Sequence, residues 1–209
     1  MTARLGILLS GAGSTYGNLV ARIHDGSLPA EIAVVIGSRA NAEGLAKAQA
    51  WQHPCAASAD QNEIQQLLED HGCDVVAMCG FMRRYDPQGS LVGKVVNVHP
   101  SLLPAFGGQG YYGDRVHQAV LDKGARISGC TVHVVAGDYD TGPILAQRPV
   151  PVLPDDSVAS LRQRVQAAER HLYPLVLYSL LSQAQQHAQH GGHLAAVPGC
   201  DEWDLGFKP

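Results

Sequence analysis

The sequence lacks any hydrophobic run long enough to cross a bilayer, since no stretch approaches the ~18 apolar residues that a membrane helix needs. It also lacks an excess of positive charge. With 15 Lys and Arg against 19 Asp and Glu, the net charge of -4 provides no general surface for a polyanion. We therefore expect neither a membrane nor a nucleic acid among its partners, and small-molecule substrates instead.

Paired cysteines are also missing. The five cysteines are odd in number and scattered, and none forms a CxxC pair: Cys55, Cys73, Cys79, Cys130 and Cys200. This pattern predicts neither a disulfide framework nor a zinc site, and we interpret the cysteines as reduced thiols of a cytoplasmic protein. Cys79 is a candidate nucleophile because it lies near the candidate site described below, although no obvious base accompanies it. The short apolar run at the start of the chain favours a first strand over a secretion signal.

What is present is the composition of an ordinary globular protein, with 45% hydrophobic and 16% charged residues among 209. Strands are predicted at residues 5–9, 32–36, 54–57, 74–78 and 95–99, and helices at 18–24, 42–51 and 63–71. This alternation predicts an α/β fold with a doubly wound, mostly parallel, Rossmann-like sheet. Because no interdomain linker interrupts the pattern, we expect a single domain over residues 1–209.

The second half of the chain follows a different pattern. A helix is predicted at residues 114–122 with Asp114 as its cap, followed by a hairpin-like pair of strands at 128–134 and 144–149. A long helix at 158–182 should be kinked at Pro174 or divided into two pieces there. Residues 183–193 are polar and predicted to fray, and a tail follows.

The stretch VVNVHPSLLP at residues 95–104 carries the most specific chemistry. Asn97 and His99 lie two apart near the end of an apolar strand, so their side chains project to the same side. The carboxyl ends of strands are where open α/β sheets bind ligands. The alternative is a simple junction between strand and turn, in which His99 bonds a backbone carbonyl.

The loop SGAGSTYG at residues 10–17 follows the first strand and precedes a helix, which is typical of phosphate binding. A dinucleotide fold requires GxGxxG and an acidic residue after the second strand. Here the spacing is GxGxxxG, and Arg39 follows the second strand, where it could meet the 2′-phosphate of NADP. No Lys follows Gly17, as a nucleoside-triphosphate loop requires. A sugar-phosphate loop fits best, and a tight turn without a ligand remains the alternative.

An Asp-containing turn at residues 136–142 should come close to Asn97 and His99. A carboxylate such as Asp140 should raise the pKa of a neighbouring imidazole. An imidazolium and an amide directed at one point would stabilise the oxyanion of an acyl or formyl transfer. No nucleophile elbow is present, so a covalent acyl-enzyme is not favoured. The glycine-rich residues 105–112 are either a lid over this site or a linker.

The remaining histidines give weaker signals. The spacing of His187, His190 and His193 allows a metal site, but without a fourth ligand we interpret them as part of a polar tail and predict no metal. We interpret three others as surface or core histidines: His117, His133 and His171.

Five motifs together resemble the folate-dependent phosphoribosylglycinamide formyltransferases: SGAGS at 10–14, GFMRR at 80–84, NVHPSLLP at 97–104, DYDTGPI at 138–144 and QAAERHLYP at 166–174. The resemblance implies transfer of the formyl group of 10-formyltetrahydrofolate, the co-substrate, to the amine of 5′-phosphoribosylglycinamide. It also implies a phosphate-binding half at residues 1–~100, a folate and catalytic half at ~100–185, and a tail at 186–209.

The same resemblance implies roles for individual residues. Asn97 and His99 would stabilise the oxyanion, with His99 also the proton donor, and Asp140 would be the partner of His99. Glu169 would meet the ribose or glycinamide part of the substrate. Phosphate would be held by Gly13, Ser14 and Thr15. Folate would be held by Met82, Arg83, Arg84, Tyr85, Asn97, Ala136, Gly137, Asp138, Tyr139 and Asp140.

The sequence departs from the family pattern at two places. The first loop reads GAGST where the family has GNGSN, so Ala12 and Thr15 each replace Asn. The loop after SLLP is longer than usual, and its family histidine corresponds either to His117 or to no residue. These departures affect the expected phosphate and lid contacts but leave Asn97, His99 and Asp140 intact.

Several other functions share parts of this pattern. They are a formyl-folate hydrolase, a sugar-amine or initiator-tRNA formyltransferase, a non-catalytic folate- or nucleotide-binding module, and an NADP oxidoreductase. The formyl-folate hydrolase and the sugar-amine and initiator-tRNA formyltransferases usually carry an additional domain or extension, for which 209 residues are expected to leave no room. The oligomeric state is expected to be a monomer or a homodimer.

Overall fold

A mixed β-sheet with helices on both faces forms the centre of the molecule. The structure is a computed structural model, which describes residues 2–190 and the side chains as far as Ala184. Within these residues the strands are β1 (Ala3–Leu9), β2 (Ala30–Gly37), β3 (Cys55–Ala57), β4 (Val75–Met78), β5 (Val95–His99), β6 (Ile127–Val134) and β7 (Ile144–Pro151). The helices are α1 (Ser14–His24), α2 (Glu43–Ala50), α3 (Gln61–Asp70), α4 (Asp114–Asp122) and α5 (Val158–His190).

The sheet has the strand order β3-β2-β1-β4-β5-β6-β7. The first five strands pair in parallel, as the helical crossovers between them require. β6 pairs antiparallel with both β5 and β7. The predicted mostly parallel sheet with a hairpin-like pair of strands is therefore confirmed, and β5 lies where the parallel and antiparallel parts meet.

The alternating side chains of β1 divide the core into two layers. Leu5, Ile7 and Leu9 pack in one cluster with residues of α1 and α5, whereas Leu8 packs in the other with residues of α3. The hydroxyl of Tyr173 on α5 donates to the carbonyls of Met78 and Val96, at 3.1 and 2.9 Å. These bonds fix α5 against β4 and β5.

Helix α1 begins four residues earlier than predicted, at Ser14 instead of residue 18. The reason is the conformation of Gly13, which precedes the helix with a φ of 68° in the left-handed region that glycine adopts readily. The nitrogen of Gly17 donates to the Gly13 carbonyl at 2.9 Å and makes the first helical bond. Ser14 and Thr15 therefore belong to the first turn of a helix.

Two further expectations about helices were wrong. Asp114 does not cap α4, because Gly113 precedes the helix and Asp114 is its first residue, where its carboxylate accepts a hydrogen bond from Arg162. Helix α5 continues to His190, so the predicted fraying from residue 183 is not observed as far as His190. Of the two alternatives at Pro174, a kink or a division, the division is excluded. None of the helices within residues 2–190 is both long and apolar enough to cross a membrane.

Candidate active site

One cavity of about 550 Å³ opens at the carboxyl ends of β1, β4 and β5. A volume of this size suits a small-molecule site. Most of the predicted site residues line it: Gly13, Ser14, Thr15, Met82, Arg83, Arg84, Tyr85, Asn97, His99, Asp138, Tyr139, Asp140 and Glu169. Ala136 and Gly137 do not line it. The cavity joins the loop before α1 to the Asp140 turn in a single space.

The end of β5 directs two polar side chains into this cavity. His99 is buried, and its Nε2 lies 2.8 Å from the carbonyl of Phe106, so this nitrogen carries a proton and donates. Its Nδ1 lies 3.3 Å from Oδ2 of Asp140. Asn97, one pleat earlier, lies with its Nδ2 3.2 Å from Nε2 of His133. The predicted convergence of Asn97, His99 and Asp140 is therefore present in the fold.

The pKa of His99 is shifted downward. Burial lowers the pKa of His99, and the nearby Asp140 carboxylate and Phe106 carbonyl, which both favour the charged ring, do not fully offset it. Asp140 acts to raise the pKa of His99, as expected, but the net shift is downward because the cost of desolvating the charged ring outweighs the attraction of one carboxylate. A His99 with a lowered pKa releases a proton more readily once it is charged.

Asp140 is held by the glycine-rich segment that precedes α4. Its backbone has a φ of 57°, a left-handed conformation that Asp and Asn tolerate better than most residues. Its Oδ2 accepts from the backbone N–H of Gly108 at 2.9 Å. Burial acts to raise the pKa of Asp140, but the contacts with His133 and His99 and the Gly108 N–H outweigh it and lower the pKa. Asp140 is therefore ionised near neutral pH.

His133 is a site residue that the sequence interpretation missed. It lies on β6 directly opposite Asn97, it is 2% exposed, and its Nε2 is 3.5 Å from Oδ1 of Asp140. The signal that could have found it is the antiparallel pairing of the TVHV stretch with VVNVH. That pairing places His133 on the same face of the sheet as Asn97.

The loop before α1 and the first turn of that helix also line the cavity. The N–H groups of Ser14, Thr15 and Tyr16 precede the first helical hydrogen bond, so they have no acceptor within the helix and can meet an anion. Nζ of Lys47 donates to the carbonyl of Ala12 at 2.7 Å and adds a positive charge beside the loop. Backbone groups thus remain available although two Asn side chains of the family loop are absent.

Comparison with known proteins agrees with this geometry. Residues 3–177 match the family model described as "Formyl transferase". The chain belongs to the formyl transferase family. It is 32% identical to a phosphoribosylglycinamide formyltransferase of Haemophilus influenzae, over 83% of this chain and 85% of that protein. It is 37% identical to a bovine trifunctional purine biosynthetic protein adenosine-3, but spans only 19% of that protein's length. A crystal structure of phosphoribosylglycinamide formyltransferase from Bacillus halodurans superimposes with a TM-score of 0.78 and 32% identity, covering 87% of this chain and 96% of that one.

In this member of the formyl transferase family, the segment after β4 forms a further wall of the cavity. Phe81 and Tyr85 are buried, whereas Met82 is 49% exposed and its backbone N–H donates to Ser10. Arg84 bonds the carbonyl of Gly137 and so ties this segment to the Asp140 turn. Cys79 is unsuited to be a nucleophile, because it is 4% exposed and burial raises the pKa of its thiol well above the ordinary range.

Helix α5 contributes Glu169, which was assigned from the sequence, and two polar side chains that were not, Arg162 and Gln166. Arg162, Gln166 and Glu169 lie on one face of the helix and line the cavity, as does His117 of α4. Nη1 of Arg162 contacts both carboxylate oxygens of Asp114 at 2.7 and 3.0 Å. His117 is 2% exposed and its Nδ1 has no protein partner.

Arg39, which the sequence made a candidate for the 2′-phosphate of NADP, does not line this cavity. The triplet His187, His190 and His193 lies outside the side chains that the structure describes.

Replacing Glu169 with glutamine is expected to increase the free energy of unfolding at pH 8. Burial raises the pKa of Glu169 from its ordinary 4.5 to about 7, so the folded chain keeps a proton that the unfolded chain has lost. The stability of the wild type therefore falls as the pH rises from about 4.5 to about 7, and the loss is complete at pH 8. The glutamine variant has no carboxyl group to ionise and does not lose this stability. We expect a gain on the order of 1–2 kcal/mol, because a residue lining the cavity keeps partial contact with solvent.

Urea titrations of the wild type and of Glu169→Gln at pH 5 and pH 8 would measure this difference. The stability advantage of the variant should grow between the two pH values. Glu43→Gln is the matched control, because Glu43 is exposed on α2 and far less desolvated. An advantage of Glu169→Gln that is the same at both pH values would contradict the expected ionisation of Glu169.

Proposed function

We propose that the protein transfers the formyl group of 10-formyltetrahydrofolate to the amine of 5′-phosphoribosylglycinamide in purine biosynthesis. One observation carries the proposal. Asn97, His99 and Asp140 line the same cavity as the open N-terminus of α1. An oxyanion site and an anion site thus share one space, as a phosphorylated amine that attacks a formyl group requires. The names of the relatives support the same assignment.

The reaction would proceed by direct attack. The amine nitrogen bonds to the formyl carbon, and the carbonyl oxygen becomes an oxyanion that receives N–H bonds from Asn97 and His99. The bond between that carbon and N10 of the folate then breaks, and N10 takes up a proton as the amine loses one. The developing negative charge favours the charged form of His99, because it adds a second anionic neighbour to Asp140. His99 then gives its proton readily to the leaving nitrogen.

Substrate binding would require the segment between β5 and α4 to move. In the structure Nε2 of His99, the nitrogen that faces away from Asp140, donates its hydrogen bond to the carbonyl of Phe106. A formyl oxygen can take its place only if this segment shifts. Residues 105–112 would therefore act as a lid, which is one of the two sequence interpretations.

The two substrates would occupy opposite parts of the cavity. The ribose phosphate would bind the backbone N–H groups of Gly13, Ser14 and Thr15, and Glu169 would meet the ribose or glycinamide part. The folate ring would lie between the segment Met82, Arg83, Arg84, Tyr85 and the turn of Ala136, Gly137, Asp138, Tyr139 and Asp140. Since Ala136 and Gly137 do not line the cavity, they would act by shaping that turn.

An acceptor screen tests this function. The purified protein and 10-formyltetrahydrofolate are incubated in turn with 5′-phosphoribosylglycinamide, water alone and amino sugars, and consumption of the folate and the formylated product are measured. We expect turnover with 5′-phosphoribosylglycinamide only. Formate release without an acceptor would indicate a hydrolase, formylated sugars would indicate a sugar-amine formyltransferase, and binding of both proposed substrates without turnover would disprove the enzyme assignment.

A further inference from the structure

His133 is buried beside the proposed reaction centre, and the mechanism above does not use it. Its Nδ1 lies 2.9 Å from the carbonyl of Val134, and its Nε2 lies 3.2 Å from Nδ2 of Asn97. Both ring nitrogens therefore have a neighbour within hydrogen-bonding distance, and because the side chain is only 2% exposed, water has little access to the ring.

These two contacts determine which ring nitrogen carries the proton. A carbonyl oxygen can only accept a hydrogen bond, so Nδ1 of His133 must be the protonated nitrogen. In the neutral ring, Nε2 then has a free lone pair and accepts an N–H bond from the amide nitrogen of Asn97. Oδ1 of Asp140 is 3.5 Å from the same Nε2, farther than the 3.2 Å that separates Nε2 from Nδ2 of Asn97. The N–H of Gly108 bonds the other carboxylate oxygen, Oδ2.

The acceptor at Nε2 fixes the orientation of the Asn97 amide. One N–H of its amide group points to His133, and the second N–H of the same nitrogen remains available to the cavity. If the amide were rotated by half a turn, its oxygen would face the lone pair of His133. The orientation matters for catalysis, because an oxyanion is attracted by an N–H group and repelled by a carbonyl oxygen.

We propose that His133 is a positioning residue for formyl transfer: as a neutral ring protonated on Nδ1, it orients Asn97 so that an amide N–H faces the oxyanion. The inference rests on the proposed function. His133 itself touches neither the substrates nor the reacting atoms, and it acts through Asn97. A charged His133 would instead donate to Oδ1 of Asp140, which is the form of the contact that lowers the pKa of Asp140, and would no longer accept from Asn97.

Two substitutions at this position separate orientation of Asn97 from simple packing. His133→Gln places an amide oxygen near the position of Nε2, where it can accept from Asn97. The shorter His133→Asn reaches only the position of Nδ1 and cannot. We expect His133→Asn to lower kcat ~10-fold or more, on the scale of a weakened oxyanion donor. His133→Gln should stay within about threefold of the wild type, and KM for both substrates should change little in either variant.

A double substitution tests whether the effect passes through Asn97. Asn97→Ala and Asn97→Ala/His133→Asn should have the same kcat, since nothing is left for His133 to orient. A further loss in the double variant equal to that of His133→Asn alone would overturn the proposal. So would an equal loss of kcat in His133→Gln and His133→Asn. Thermal melts of all four variants show whether they fold.

A measurement without substrates distinguishes failure of this inference from failure of the proposed function. The imidazole ¹⁵N chemical shifts of His133 report which nitrogen is protonated, and we expect Nδ1 protonated and Nε2 free at pH 8. A proton on Nε2 would overturn the proposal even in an active enzyme. Absence of turnover in the wild type would instead refute the function, and if His133→Asn does not fold, the ¹⁵N shifts and His133→Gln decide the question.

Discussion

His99→Ala is expected to lower kcat for formyl transfer by ~10²-fold or more, the scale of losing an oxyanion donor. The substitution removes the Nε2 donor, now bonded to the Phe106 carbonyl, and the proton that the leaving nitrogen needs. KM should change much less, because His99 is 4% exposed and offers little surface to the substrates before reaction. Steady-state rates with 10-formyltetrahydrofolate and 5′-phosphoribosylglycinamide measure the effect.

His24→Ala is the matched control for this prediction. His24 is exposed at the end of α1 and does not line the cavity, so its removal should leave kcat unchanged. A near-normal kcat in a folded His99→Ala would remove His99 from the chemistry. A raised KM with an unchanged kcat would assign it to substrate binding alone.

Asp140→Asn is expected to lower kcat by ~10²-fold or more while leaving the fold intact. Asparagine has nearly the same shape as aspartate and tolerates the left-handed backbone at φ 57°. It can still accept from the Gly108 N–H, which now lies 2.9 Å from Oδ2. What is lost is the negative charge beside His99, so the charged ring is no longer stabilised when the oxyanion forms.

The dependence of kcat on pH gives this prediction a second measurement. Without the Asp140 carboxylate, burial lowers the pKa of His99 further, so a rate that requires charged His99 should decline at lower pH than in the wild type. Asp122→Asn, an exposed substitution on α4, should behave as the wild type does. An unchanged kcat and pH profile in Asp140→Asn would show that its carboxylate has no role in the reaction.

Strand and helix alternation, and the location of Asn97 and His99, could be predicted because they depend on local features. Branched apolar residues precede Asn97, and Pro100 ends the extended stretch, so both polar groups had to lie at a strand end. The Asp140 turn was likewise visible from its Asp and Gly content. Local chemistry was sufficient for these residues.

Features that depend on contacts between distant segments could not be predicted in the same way. The lowered pKa of His99 and the raised pKa of Glu169 both follow from burial, which depends on how α5 and residues 105–112 pack. His133 lies 36 residues from Asn97 in the sequence, and the pairing of β6 with β5 brings the two side chains together. The early start of α1 depends on Gly13, which packs closely on Gly44 of α2.

The position of β5 between β4 and β6 limits where the length of this chain can vary. Asn97 pairs with Met78 on one side and with His133 on the other. Adding or deleting a single residue within β5 would turn Asn97 and His99 to the opposite face of the sheet, away from the cavity. Insertions and deletions should therefore accumulate in residues 105–112, while β5 and β6 behave as segments of fixed length in any functional relative.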